Sequence, residues 1–279
     1  MNVYHVPSAP LNYYVEAIWH SAGVAPAVRE KILPSVSIGM TFNFGDPSRV
    51  STPNRARQFT DCTESWISGL RSGYCFLEVS PTIQMMSVDF KPGGAFPFLH
   101  FPLSEAHNQT ISLDAIWGSF AGVVREHLYE ATTVQARFSL LERLLLARLS
   151  DAQNGLDAVR HAVEAIARCH GSLSIGELSA RMGLSQKQLI TQFKRAVGLT
   201  PKAMARVYRF RYVLQNLDPL AAVDWAEIAH QAHYYDQSHC HKDFKAFTGH
   251  SPGEYLRLRR EAHIENPEHA QYLNHLPAG

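Results

Sequence analysis

Cysteine is scarce and scattered in this sequence. The four cysteines are far apart in sequence, at Cys62, Cys75, Cys169 and Cys240, and none belongs to a Cys-x-x-Cys pair. This spacing argues against a structural zinc site and against a disulfide framework. It instead indicates a protein that works in a reducing compartment.

Long hydrophobic runs are also missing. No apolar stretch is long enough to span a bilayer, and residues 1–20 lack the basic segment and apolar core of a secretory signal. We therefore expect a cytoplasmic protein with no membrane partner.

The histidine spacing of a metal-dependent cupin enzyme is absent. Such a site needs a His-x-His pair, a downstream carboxylate and a further histidine on neighbouring strands, and His5, His20, His100 and His107 do not have this spacing. A second group clusters in sequence at His230, His233, His239 and His241. These positions fit helix turns, caps and a groove-facing surface better than zinc. We expect no catalytic residue, no metal and no cofactor.

The net charge of +1 conceals an asymmetry along the chain. Residues 160–261 contain 15 Lys and Arg against 9 Asp and Glu, a net of +6, whereas the remainder contains 11 against 16, a net of −5. A basic C-terminal part beside an acidic remainder is typical of a nucleic-acid-binding module joined to a domain that does not bind nucleic acid. Chance segregation of solvated surface charge is the alternative.

Hydrophobic periodicity changes along the chain. In residues 1–112, short alternating segments such as Ser37–Phe44 and Tyr74–Val79 are broken by proline and glycine, which predicts a β-rich sandwich or small barrel. Residues 113–149 have a helical period, in two amphipathic stripes that can pack on this domain or mediate dimerisation. The stripes comprise Ile116, Phe120, Val123, Val124 and Leu128, then Phe138, Leu141, Leu144, Leu145 and Leu149.

The remaining residues divide into a linker, a helical domain and a tail. Residues 150–156 are polar, contain Asn-Gly and are expected to form an interdomain linker. Residues 157–261 are predicted to be helical. Residues 262–279 form a polar tail with two prolines, and we expect it to be poorly ordered.

The helical domain contains one supersecondary unit twice. Phe193-Lys194 and Thr200-Pro201 recur as Phe244-Lys245 and Ser251-Pro252, at an offset of 51 residues. Before the turn the offset is 50, because Gly183 corresponds to His233, so the second copy has one extra residue in its turn. A duplicated helix, turn and helix predicts two similar helix pairs.

Capping signals agree with these helix starts. An N-cap residue is followed three positions later by an acid or an amide at four places. The pairs are Ser174 with Glu177, Ser185 with Gln188, Asp224 with Glu227 and Ser251 with Glu254. Asp236 is a further N-cap, and Pro201 and Pro252 occupy first helical positions.

The C-terminal third, roughly Leu156–Arg260, resembles the DNA-binding module of the AraC-type (AraC/XylS) transcription regulators, and the family's signature lies in the second copy. The residues that carry this resemblance are Ile228-Ala229, Asp236-Gln237-Ser238-His239, Phe244-Lys245, Gly249 and Ser251-Pro252. The resemblance implies two helix-turn-helix units joined by a long helix, with double-stranded DNA as partner. The same resemblance implies a cupin-like N-terminal domain that senses a small molecule, a homodimer, and RNA polymerase as a further partner. The predicted fold class is thus α+β.

Four residues depart from the family pattern in the second unit: His233 replaces glycine, Tyr234 and Cys240 each replace phenylalanine, and Lys242 replaces arginine. His233 occupies a position that favours positive φ, which histidine tolerates better than most residues. Cys240 removes core volume beside Phe244. Lys242 keeps the charge of arginine but loses its bidentate fork.

The periodicity assigns exposed faces to two recognition helices, predicted at Gln186–Val197 and Gln237–Phe247. Pro201 to about Leu217 would form a joining helix of about 25 Å. The predicted DNA-binding residues are Gln186, Lys187, Ile190, Thr191, Lys194, Arg209, Gln237, Ser238, His241, Lys242 and Lys245. Gln237 suits adenine, Lys187 and Lys242 suit guanine, and Ile190 and Thr191 suit a thymine methyl. Lys194, Lys245 and Arg209 suit phosphates.

Three functions remain open. The first is a sequence-specific transcription regulator controlled by a small molecule or partner at the N-terminal domain, where Trp19, Phe42, Trp66 and Phe90 are candidate ligand-binding residues. The second is a ligand-independent regulator whose N-terminal domain only mediates assembly. The third, a cupin-type enzyme fused to a DNA-binding module, lacks a recognisable active site.

Overall fold

The computed structural model describes residues 2–24, 28–53, 58–79, 81–149, 156–265 and 275–277. Its N-terminal part contains ten strands, which confirms the β-rich prediction. They are β1 (Asn2–His5), β2 (Val15–Val24), β3 (Val28–Ile32), β4 (Ile38–Asn43), β5 (Ser48–Ser51), β6 (Thr60–Cys62), β7 (Ser65–Ser68), β8 (Cys75–Val79), β9 (Thr82–Phe90) and β10 (Thr110–Ser112).

The strands form two antiparallel sheets. The six-stranded sheet has the order β1-β2-β9-β4-β7-β10, and the five-stranded sheet has the order β11-β3-β8-β5-β6, where β11 is His275–Pro277. Strand β9 lies at the centre of the larger sheet, with Met86, Val88 and Phe90 buried on one face.

The predicted disorder of the tail is wrong at two places. Helix α11 (Pro252–Glu265) continues past Ala262, and His275–Pro277 pair antiparallel with Glu30–Ile32 of β3. Without this strand, the N–H and C=O groups of β3 on that edge would be unpaired. The tail therefore covers an edge strand, a common way to block pairing with other chains.

Four helices cover the larger sheet: α1 (Phe96–Leu99), α2 (Asp114–Trp117), α3 (Phe120–Glu130) and α4 (Val134–Arg148). Phe42 of β4 packs against Trp117, with ring centroids 6.4 Å apart, and Phe90 packs against Phe98 at 5.3 Å. Both predicted stripes face the sheet, except that Val123 is 44 % exposed. Most residues of both stripes therefore pack within the chain.

The C-terminal domain is entirely helical as far as it is described. Its helices are α5 (Leu156–Arg168), α6 (Ile175–Arg181), α7 (Gln186–Val197), α8 (Pro201–Gln215), α9 (Trp225–Gln231), α10 (Gln237–Thr248) and α11. Of the predicted linker 150–156, only Leu156 lies within the described residues, and it begins α5.

One buried core runs from the strands into the C-terminal helices, so the two domains pack directly against each other. The architecture is α+β, as predicted. No helix among the described residues has both the length and the apolar character required to cross a membrane.

Candidate nucleic-acid interface

The first helix-turn-helix unit consists of α6 and α7. Ser174 and Ser185 cap these helices, and each forms the predicted capping box, with Glu177 and Gln188 respectively. In the turn between them, Gly183 has φ +64°. Each box satisfies two backbone N–H groups that the helix leaves free, so these short helices begin at fixed residues.

One face of α7 is buried and the other is open. Leu189 and Phe193 are fully buried, as predicted. Ile190 is half-buried at the boundary between the two faces. The exposed members of the predicted set are Gln186, Lys187, Thr191 and Lys194.

The second unit consists of α9 and α10. Asp224 accepts hydrogen bonds from the N–H groups of Ala226 and Glu227, and Asp236 accepts one from His239 N at 2.7 Å. Five residues separate α9 from α10, against four between α6 and α7, so the predicted extra turn residue is confirmed. His233 has φ +57°, which confirms that histidine adopts the left-handed conformation of Gly183.

The outer face of α10 carries the predicted polar residues. Gln237, Ser238, Lys242 and Lys245 are exposed. His241 is half-buried because its ring packs edge-on against Trp225, with centroids 5.3 Å apart. Burial lowers the pKa of His241 below its usual range, so the ring is neutral at pH 7.

An aromatic cluster fixes the inner face of α10. Phe244 contacts Phe210 of α8, Trp225 of α9 and Tyr255 of α11 in edge-to-face geometry, with centroids 5.1 to 5.6 Å apart. Cys240 is also buried here, and burial raises the pKa of its thiol to about 11. The thiol is therefore a neutral packing group, and these aromatic contacts hold α10 in place beside it.

Helix α8 joins the two units. Its 15 residues correspond to a length of roughly 22 Å, slightly shorter than predicted. Arg206 of α8 donates to both carboxylate oxygens of Asp243 in α10, at 3.2 and 2.7 Å. The hydrogen bond to Asp243 raises the pKa of Arg206. Sequence reasoning missed this pair, because no local signal connects residues that far apart.

Arg209, predicted as a phosphate contact, makes contacts within the chain. Its Nη1 donates to the Gly171 carbonyl at 2.7 Å, and its guanidinium lies 5.3 Å from the centroid of the Tyr234 ring. The side chain therefore ties α8 to the α5–α6 turn and to the second unit. A phosphate contact by Arg209 stays a prediction.

The four predicted ligand-binding residues do not line one pocket. Phe42 and Phe90 are fully buried on the face that packs against the helices. Trp19 and Trp66 pair with Ser87 and Thr41, which places them on the opposite face of the sheet. An alternating apolar strand looks the same in sequence whether its side chains fill a core or line a cavity, which explains the error.

A cavity of about 870 Å³ lies instead between the two domains. Its N-terminal wall includes Tyr13, Tyr14, Glu16 and Lys91, and its C-terminal wall includes Val159, Arg160, Val163, Glu164 and Tyr208. Asn12, on the same wall as Tyr13, has a buried Oδ1 without a hydrogen-bond partner in the structure. The site combines apolar side chains with several charged groups on both walls. Concave sites of this size are where proteins commonly bind small molecules.

Metal ligands do not converge in the part of the chain that the structure describes. No three His, Cys, Asp or Glu side chains there are grouped so that they could hold an ion. All four cysteines are unpaired.

Comparison with known proteins supports the two-part organisation. A family model described as a helix-turn-helix domain matches residues 178–258, and a model for a domain of unknown function (DUF6597) matches residues 4–112. No curated protein is significantly similar to the chain.

Several solved structures are similar to all or part of the chain. A probable AraC family transcriptional regulator from Rhodopseudomonas palustris CGA009 is 25% identical over 36% of this chain and 95% of its own, with a TM-score of 0.33. The DNA-binding domain of AdpA, in complex with a target DNA, is 18% identical over 39% and 96%, with a TM-score of 0.34. ToxT from Vibrio cholerae O395 is 10% identical over 85% and 97%, with a TM-score of 0.43.

The family match covers the duplicated units, whose caps, turns and exposed faces are those that the sequence motif implies. Residues 178–258 therefore form a helix-turn-helix domain that contains both duplicated units, and the chain is similar in this part to AraC family regulators of known structure.

Proposed function

We propose that the chain reads double-stranded DNA with α7 and α10 in successive major grooves, on one face of the duplex. The observation that carries this proposal is that α7 and α10, the equivalent helices of the two units, each have an exposed polar face. A single helix, α8, joins the two units. A major groove admits an α-helix, and successive grooves on one face lie about 34 Å apart.

The exposed residues divide by chemistry. Gln186, Gln237 and Ser238, in the first turns of their helices, are suited to base edges, and Lys187 and Lys242 are suited to guanine. Ile190 and Thr191 suit the methyl group of thymine. Lys194 and Lys245, further along each helix, suit phosphates, which fix register without reading sequence. Half-buried His241 is an acceptor or donor at the edge of this face.

Selection of bound fragments from random DNA tests the proposal. We expect enrichment of a bipartite site with two conserved blocks about one helical turn apart. Recovery of DNA without any shared sequence would contradict sequence-specific reading.

We further propose that a small molecule binds the interdomain cavity and modulates DNA binding. Because the cavity has walls from both domains, an occupant can favour one relative position of the domains over another. The apolar side chains, beside the charged Glu16, Lys91 and Arg160, favour a ligand with an apolar body and a polar or charged group.

The alternative is a regulator whose N-terminal domain serves only for assembly. Ala167, which is half-buried, lines the cavity from α5, so Ala167→Phe would fill it. If a ligand modulates the protein, extracts of the denatured wild type contain a small molecule that the variant lacks, and operator affinity responds to that molecule only in the wild type. Identical extracts and affinities favour the assembly role.

Other assignments remain proposals. Val123 and Tyr129 of α3 and Leu146 of α4 are large exposed apolar residues, which suits a homodimer contact. RNA polymerase is a partner that the family resemblance implies. The cytoplasm is the proposed location, because the chain binds DNA and its cysteines are unpaired. We propose no enzymatic activity.

A further inference from the structure

The N-terminal domain contacts the C-terminal end of the first recognition helix. Gly198 caps α7, and a Cβ atom placed on it would lie 3.0 Å from the carbonyl oxygen of Leu103, so the two backbones touch. Leu103 belongs to the 3-10 helix Leu103–Ala106, which packs along the end of α7. Nearby, the guanidinium of Arg195 lies 5.3 Å from the centroid of the Phe96 ring.

The same domain contacts the C-terminal end of the second recognition helix. Gly249 caps α10, and a Cβ atom there would lie 2.6 Å from the ring of Tyr74. The ammonium group of Lys31 lies 4.7 Å from the centroid of that ring and hydrogen-bonds to His250. The N-terminal domain therefore contacts the C-terminal ends of both α7 and α10.

Hydrogen bonds tie the two contact points to each other. The segments 70–74 and 103–108, which we call the crossbar, are joined by Asn108 N to Leu70 O at 2.9 Å and by Ser72 N to Asn108 Oδ1 at 2.8 Å. Ser72 Oγ also bonds to His107 Nε2 at 2.6 Å, and Arg71 Nη1 donates to Asn108 O at 3.1 Å. The crossbar links Leu103, beneath α7, to Tyr74, beneath α10.

Docking on the crossbar leaves the reading faces open. Lys187, Thr191, Gln237 and Lys242 are exposed while the ends of their helices are held. The docked arrangement is therefore compatible with DNA on the opposite side. Nothing in the described contact requires the domains to separate before DNA is read.

A single joining helix, α8, does not by itself fix the distance between α7 and α10. Two units attached to one rod can still twist or bend about it, because long helices curve and their ends fray. A second rigid connection between the same two units closes a loop and removes that freedom.

We propose that the crossbar fixes the spacing between α7 and α10, so that the N-terminal domain determines which separation of half-sites the chain accepts. This inference rests on the proposed function, in which both helices read DNA. Spacing specificity then belongs to residues outside the helix-turn-helix units, with Tyr74 and Leu103 as the positioning residues.

A DNA-independent experiment tests the mechanical part. Spin labels at Thr191→Cys and Lys245→Cys, in a Cys169→Ser background that leaves only buried native cysteines, report the distance between the two helices. We expect a narrow distance distribution when Tyr74 is intact and a clearly broader one after Tyr74→Ala. Arg143→Ala, at an exposed residue of α4, is the control and should leave the width unchanged. Equal widths for Tyr74→Ala and its control would overturn the proposal.

A binding experiment tests the consequence. We compare the selected site with versions that have one or two base pairs inserted between its two blocks. We expect the wild-type chain to bind each of these versions at least about tenfold more weakly than the selected site itself. Tyr74→Ala should lose less than about threefold on the same insertions. An unchanged insertion penalty would show that α8 alone fixes the spacing and would overturn the proposal.

Two features keep these tests decisive. Ser72→Ala, which removes one hydrogen bond at an exposed residue, replaces Tyr74→Ala if that variant does not fold, with the same expected direction. The distance measurement needs no DNA, so it tests the spacing proposal even if the chain binds no DNA. Failure of the proposed function can therefore be distinguished from failure of the spacing proposal.

Discussion

Arg206 and Asp243 form a two-point ion pair between the joining helix and the second recognition helix, at 2.7 and 3.2 Å. The side chain of Asp243 is 5 % exposed, whereas that of Arg206 is 39 % exposed. Removing Arg206 therefore leaves a buried carboxylate without its partner, whereas removing Asp243 leaves a guanidinium that can reach solvent.

This asymmetry predicts unequal effects on stability. Arg206→Ala strands a buried carboxylate and should cost about 3 kcal/mol, whereas Asp243→Ala frees an arginine that can turn to solvent and should cost about 1 kcal/mol. Chemical denaturation of both variants and of the double variant measures the difference. A larger cost for Asp243→Ala would show that the guanidinium, not the carboxylate, is the trapped group.

The turn of the second unit predicts a stabilising substitution. His233 has φ +57°, a conformation that glycine adopts without steric strain. His233→Gly should raise the free energy of unfolding by up to about 1 kcal/mol, since relief of strain exceeds the added freedom of the unfolded chain. His230→Gly, in the neighbouring helix α9, is the control and should lower it by a similar amount. A loss of stability at position 233 would mean that the imidazole contributes more than its conformation costs.

A half-buried carboxyl in the larger sheet, Asp89, predicts a pH dependence. Burial raises the pKa of Asp89 to about 6 from the ordinary value of 3.8, against a hydrogen bond from Trp19 that lowers it. Between about pH 4 and 6 the folded state then binds more protons than the unfolded state, so stability falls as pH rises through this window.

Asp89→Asn removes this titration. The variant should be more stable than the wild type by on the order of 2 kcal/mol at pH 7, and the difference should disappear below about pH 4. Thermal unfolding across pH measures it, with the exposed Asp61→Asn as control. A difference that does not change with pH would exclude Asp89 ionisation as its cause.

The exposed lysines predict a salt dependence. Lys194→Ala with Lys245→Ala, the two phosphate contacts of the proposal, should weaken operator binding and reduce the slope of log affinity against log salt by roughly two units. A weaker affinity with an unchanged slope would instead assign both lysines to base edges. Arg143→Ala, exposed on α4 outside the two units, is the control. Unchanged affinity and slope would remove both lysines from the interface.

Local features of this fold were predictable, and distant ones were not. Ser174, Ser185 and Asp236 were recognised as caps because a cap and its partner lie within one helical turn. The conformation of His233 followed from its correspondence to Gly183 in the first copy. Both depend on residues that are close together or repeated in register.

The errors arose where sequence separation is large. Strand alternation predicts that Phe42 and Phe90 are apolar and face inward, but it does not distinguish a pocket from burial against α2 and α1. The Arg206–Asp243 pair and the contact of Tyr74 with Gly249 join segments with no shared local pattern. The partner of β3 at the chain end escaped prediction for the same reason.

Methylation interference on the selected DNA site tests the central claim most directly. Two clusters of major-groove contacts should appear about 10 base pairs apart. Gln186→Ala with Lys187→Ala should erase one cluster, and Gln237→Ala with Lys242→Ala the other. A single cluster, or two clusters that neither pair of substitutions alters, would contradict reading by both α7 and α10.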